Sequence, residues 1–93
     1  MPAEPRPPML EIYVSPGCVG CRRASAYADA LRQHRPDQPV RVIDLATHQG
    51  PLPDGVIGTP TYRLGGRIIS LGNPAWEELL DTLDNRLNRV HDA

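Results

Sequence analysis

The chain has 93 residues, 40% of them hydrophobic, with 11 acidic and 10 basic side chains and a formal net charge of −1. A chain of that length forms one small domain that buries roughly 60–65% of its unfolded surface, and nothing in its charge balance suggests nucleic acid or an anionic membrane as the main partner. No stretch approaches the roughly 20 apolar residues of a membrane-spanning helix.

The opening MPAEPRPP is proline-rich and lacks an apolar run, so residues 1–8 read as a disordered lead rather than a secretory signal. The folded domain is expected over 9–93, with Met9 as an alternative start and the cytoplasm as the compartment. Leu10–Ser15 carries strand-forming residues and stops at Pro16-Gly17, a turn pair. After the two cysteines, Ala24, Tyr27, Ala28 and Leu31 recur at helical spacing, which predicts a helix to about His34 or Arg35 before Pro36 breaks it. Val40–Leu45 is the second strand, and the glycines and prolines of ATHQGPLPDG leave room for at most a turn of helix. TYRL and RIISL flank Gly65-Gly66 and form a hairpin. Asn73 as cap and Pro74 at the first helical position start a last helix, with Trp76, Leu79, Leu80, Leu83, Leu87 and Val90 on its apolar stripe. The order is β-α-β-β-β-α, an α/β arrangement whose first two strands are parallel through a right-handed crossover.

Cys18 and Cys21, the only cysteines, lie between the first strand and the first helix. One helical turn brings two such sulfurs within bridging distance. The start of a helix favours a thiolate over a thiol, and Arg22 and Arg23 add positive charge, with Arg22 assigned to tuning the cysteine pKa. On this reading Cys18, the outer cysteine, is the nucleophile, and Cys21 resolves the mixed disulfide. Three other readings stand beside it: a static clip, which closes too short a loop to gain much; half of a zinc site, completed by His48 or a second subunit; and coincidence.

The pieces strand–CxxC–helix, GTPT before the third strand, the Gly-Gly hairpin and the amphipathic last helix resemble the thioredoxin/glutaredoxin superfamily from Met9 to about Val90. Within it the chain resembles the small glutaredoxin-like thioredoxins, here with a CVGC motif. The resemblance implies a thioredoxin-like fold, a minimal four-stranded mixed sheet with helices on both faces. It implies a redox-active Cys18–Cys21 disulfide as the sole redox group, with no metal. It further implies a cis Thr59–Pro60 bond facing the cysteines, with Thr59 offering its backbone to a bound chain, and Gly72 on the same face.

Several positions depart from that pattern. Gly17 replaces the familiar tryptophan before the first cysteine, and Val19-Gly20 the usual dipeptide. Val19 is similar to the glutaredoxin-like electron donors of some ribonucleotide reductases, whose C-terminal WSGFRP-type segment is absent. Ile12 stands where thioredoxins bury an acid, so proton transfer at Cys21 falls to water, to Tyr13 or to no dedicated group. The aspartates that hold glutathione are not matched in LGNPAW.

The expected activity is thiol–disulfide exchange, with a disulfide-containing protein or small molecule as substrate and a thioredoxin-reductase-like or glutathione-type reductant. Two alternatives come from other classes. A metal-binding or metallochaperone domain would also put CxxC at this place, but small copper carriers end on a strand and carry Met where Pro16 stands. The third is a non-catalytic binding module of the same fold.

Overall fold

The computed structural model describes the backbone of residues 7–92 and the side chains of residues 7–85. The elements are β1 (Leu10–Val14), α1 (Cys21–His34), β2 (Val40–Asp44), β3 (Thr61–Leu64), β4 (Arg67–Leu71) and α2 (Trp76–Asp92). They form one mixed sheet in the order β2-β1-β3-β4, with β1 parallel to β2 and antiparallel to β3. The β3–β4 hairpin turns through Gly65 and Gly66, whose φ values of 56° and 86° are those a two-residue hairpin turn demands and side chains resist.

Side chains alternate across the sheet. Leu10 and Ile12 pair with Leu64 and Tyr62 and point to one face, where Ala24, Ala28 and Leu31 of α1 and Leu79 and Leu83 of α2 complete a single buried cluster. Two alanines in the contact stripe let α1 sit close to the sheet. The helices also meet each other: the Tyr27 and Trp76 rings are 5.2 Å apart, and Arg35 donates to Asp84 at 2.6 Å.

The thioredoxin-like class and the four-stranded mixed sheet are as the sequence reads, but the expectation of helices on both faces is corrected. Both helices share one face. The opposite face carries Glu11, Tyr13, Arg63 and Ile68. It is covered by the irregular segment after β2, where Val56 is buried and Gly55 packs on Ile68. Two prolines and two glycines in ATHQGPLPDG keep that segment from forming a helix.

Three boundaries also shift. Pro7 and Pro8 are half-buried, and the Pro8 carbonyl accepts from Gln38 Nε2 at 2.8 Å, so they pack on the domain. The rest of the expected lead, residues 1–6, lies outside the described residues. The helix of the cysteines starts at Cys21 and not before, leaving Cys18 in the preceding turn. The last helix starts at Trp76: Ala75 accepts its first bond from the Leu79 N–H at 2.9 Å, and Glu78 Oε1 accepts the Ala75 N–H at 3.1 Å. This is half of a capping box, with alanine as cap. Asn73 does not cap because its side chain is engaged elsewhere. Leu87 and Val90 have side chains outside the described residues.

Candidate active site

β1 ends at Val14, and Ser15–Gly20 swing the chain up to the head of α1. Cys18 and Cys21 are joined as a disulfide there, with Cα atoms 5.3 Å apart. The Cys21 N–H donates to the Cys18 carbonyl at 3.3 Å, closing the turn between them. Cys21 is 6% exposed, while Cys18 is half-buried and the more accessible of the two.

The helix that follows has Gly20 at its cap with no side-chain bond and no acid in its first turn. Its positive end is therefore left open towards the cysteines. Arg22 and Arg23 are exposed beside it, and among the described residues neither forms an ion pair.

Pro60 packs against this turn: a Cβ built on Gly20 would lie 3.3 Å from Pro60 Cδ. The Thr59–Pro60 peptide bond is cis. The Ser15 and Thr59 hydroxyls share a hydrogen bond of 2.6 Å, and Thr61 Oγ1 donates to the Gly58 carbonyl at 2.6 Å, so this loop is pinned at both ends. The Thr59 main chain makes no hydrogen bond to another main-chain group among the described residues. Gly72 donates its N–H to the Pro60 carbonyl at 2.8 Å, which brings it to the same rim. A shallow groove runs between Ile57, Thr59 and Pro60 on one side and Leu71 and Gly72 on the other. Ile57 is 85% exposed, Leu71 63% and Val19 99%, so the rim is apolar and open.

Other sequence candidates fall away from the cysteines. Tyr13 points to the opposite face, where its hydroxyl donates to Glu11, itself paired with Arg63. Burial, then the Glu11 charge, raises the Tyr13 pKa above the ordinary phenol value. A proton path from Tyr13 to Cys21 is thereby corrected. His48 is exposed in the segment after β2, with Nε2 3.4 Å from the Pro51 carbonyl. Among the described residues no group of three or more His, Cys, Asp or Glu is placed to hold a metal ion. No helix among them is long and apolar enough to cross a membrane.

Sequence reasoning missed Asn73, read there only as a helix cap. Its Nδ2 donates to the Gly20 carbonyl at 2.8 Å, and its Oδ1 accepts from the Tyr62 hydroxyl at 2.6 Å. Tyr27 donates to the Pro74 carbonyl at 3.0 Å and holds the same connection from α1. The one signal available was an amide between two turn-forming residues just past β4.

Strand order, helix placement and the position of the bonded pair together define a thioredoxin-like fold. Among solved structures the chain is similar to thioredoxin O2 from Arabidopsis thaliana in its oxidized state. That likeness has a TM-score of 0.60 and 18% identity, and covers 86% of this chain and 75% of the other. No protein-family model matches the chain, and no curated protein does either.

Proposed function

We propose that this protein is a thiol–disulfide oxidoreductase whose redox centre is the Cys18–Cys21 pair and whose substrate is a disulfide in a partner polypeptide. The observation that carries this reading is the bonded pair itself, set at the open head of α1 with Cys18 outermost and Pro60 against the turn. In the reducing direction the Cys18 thiolate attacks one sulfur of the partner disulfide. The partner S–S bond breaks, a Cys18–partner bond forms, and the second partner sulfur leaves as a thiolate that takes a proton from water. Cys21, having lost its proton to water, then attacks Cys18 Sγ and releases the first partner sulfur. The partner has gained two electrons, and the protein has lost two as the Cys18–Cys21 bond. A thioredoxin-reductase-like or glutathione-type reductant returns them.

The free positive end of α1, with Arg22 beside it, supports a stabilised Cys18 thiolate. The apolar rim of Val19, Ile57 and Leu71 supports a polypeptide substrate over a small polar one. The unengaged main chain of Thr59, with Gly72 beyond it, supports docking of an extended segment by strand-like hydrogen bonds. This reading needs no metal or cofactor beyond the disulfide and no nucleic acid or membrane, and the cytoplasm is proposed with it as the compartment. Titration in glutathione buffers, with free thiols trapped and weighed, tests it. The expected result is a reversible two-electron transition, with Cys21→Ser accumulating mixed disulfides and Cys18→Ser none. A pair that stays reduced throughout and holds one equivalent of copper or zinc would refute it.

A further inference from the structure

The turn between the cysteines is held from behind by one side chain. Gly20 contributes the carbonyl of the very peptide whose N–H belongs to Cys21. That carbonyl accepts from the Ala24 N–H at 3.1 Å within α1 and from Asn73 Nδ2 at 2.8 Å across the fold. The Asn73 amide has only one workable orientation. A carbonyl can only accept, so Nδ2 must face Gly20, and Oδ1 is left to the Tyr62 hydroxyl at 2.6 Å. Tyr62 is fully buried between the helices and the sheet, and that burial pushes its pKa far above the ordinary phenol value. Burial thus favours the neutral hydroxyl, the form that donates to Asn73 Oδ1. Asn73 Nδ2 and Pro60 Cδ both crowd Gly20, at 3.0 and 3.3 Å from where a Cβ would stand.

We propose that Asn73 is a positioning residue of the redox centre: through the Gly20 carbonyl it holds the turn so that Cys21 Sγ stays in reach of Cys18 Sγ, and Tyr62 holds Asn73 in turn. This rests on the oxidoreductase reading. The step it serves is resolution. The Cys21 thiolate attacks Cys18 Sγ, the Cys18–partner bond breaks as the Cys18–Cys21 bond forms, and the partner sulfur leaves with the electron pair and is protonated by water. That attack is intramolecular, so its rate and its equilibrium both scale with how often the two sulfurs are aligned. Freeing the Gly20 peptide lowers that frequency by roughly two- to tenfold, the span of one net hydrogen bond.

The experiment uses the whole chain, reduced and mixed with glutathione disulfide. Rapid acid quenching and weighing follow the glutathione adduct on Cys18 as it converts to the internal disulfide, and the equilibrium dithiol fraction is read in parallel. In Asn73→Ala the adduct is expected to persist roughly two- to tenfold longer, with the dithiol fraction shifted upward by a similar factor. Tyr62→Phe keeps the ring and leaves the amide unlocked, so it should shift both readouts in the same direction by less. A purely structural role for Asn73 would lower the melting temperature and leave both readouts unchanged in the folded variants, and that result overturns the proposal. Should Asn73→Ala fail to fold, unchanged readouts in Tyr62→Phe overturn it alone. If the unaltered protein itself forms neither adduct nor internal disulfide, the oxidoreductase reading fails and the positioning role falls with it.

Discussion

Gly20→Ala is the most discriminating small change at this site. Gly20 has φ −84° and ψ −10°, ordinary right-handed geometry open to any residue, so no backbone strain opposes the substitution. On backbone grounds alone, alanine would stabilise the fold by about 0.4–1 kcal/mol through the unfolded chain. The surroundings point the other way. The new Cβ would lie 3.0 Å from Asn73 Nδ2 and 3.3 Å from Pro60 Cδ, against the roughly 3.5–4.0 Å of an unstrained contact. Asn73 cannot yield freely, because Gly20 and Tyr62 both hold it. Overpacking of this kind costs about 1–3 kcal/mol, and the middles of the two ranges leave a net loss of about 1.3 kcal/mol. For a domain of this size that lowers Tm by roughly 5–10 °C. Thermal unfolding of the oxidised protein measures it, with Gly20→Ala/Asn73→Ala as the second arm. Once the amide is gone most of the collision is relieved, so the double variant should be more stable than the two single losses summed. A Gly20→Ala protein at least as stable as the parent, with additive effects in the pair, would refute the packing argument.

Leu79→Ala, at a side chain 1% exposed where α2 meets α1 and the sheet, should cost about 2–5 kcal/mol in urea unfolding; a loss under about 1 kcal/mol would mean α2 is not part of the core. Reducing the Cys18–Cys21 disulfide removes a constraint on a very short loop, worth about 2 kcal/mol, so reductant should lower Tm by roughly 8–15 °C. A rise on reduction would instead mark a fold that favours the dithiol and acts as an oxidant. Ile57→Ser, at a side chain 85% exposed, should leave stability within about 0.5 kcal/mol. It should slow reduction of a protein disulfide by roughly three- to tenfold while sparing a small disulfide, and equal effects on both would count against the apolar rim. Tyr13 and Tyr62 both have pKa values raised by burial, so folding favours their neutral forms. Their contribution is fully present below the unfolded phenol pKa of about 10 and is lost as pH rises above it towards the folded values. Urea midpoints should be level in this respect up to about pH 9 and fall beyond about pH 10, less steeply in Tyr62→Phe.

The fold was legible wherever a local pattern had a single physical solution. The i, i+4, i+7 stripe of Ala24, Ala28 and Leu31 admits only a helix, and Pro36 ends it where the structure does, with the Arg35 N–H closing the last turn on Leu31 at 2.7 Å. Gly65-Gly66 between two apolar runs admits only a tight hairpin. What periodicity does not encode is which face of the sheet a helix takes. Both helical stripes are apolar, and either face would accept one. The decision rests on a tertiary fact: the segment between β2 and β3 is too rich in proline and glycine to form a helix, and it spreads over the second face as loop.

The site divides along the same line. Cys18 and Cys21 were legible as a pair from residue type and spacing, whereas Thr59 and Pro60 were expected only through the family resemblance; the fold brings the cysteine turn and Pro60 into contact. Asn73 was not, because its role depends on a contact with Gly20 across 53 positions of sequence. On local grounds Asn-Pro is a good helix start, and asparagine is among the best caps. The helix nevertheless begins two residues later, on an alanine whose N–H must be satisfied by Glu78. The fold thus gives up a cap worth about 1 kcal/mol and uses the amide elsewhere. An amide drawn from a favourable local position to the peptide between two disulfide-bonded cysteines is better explained by what it does for that peptide than by what it does for the helix.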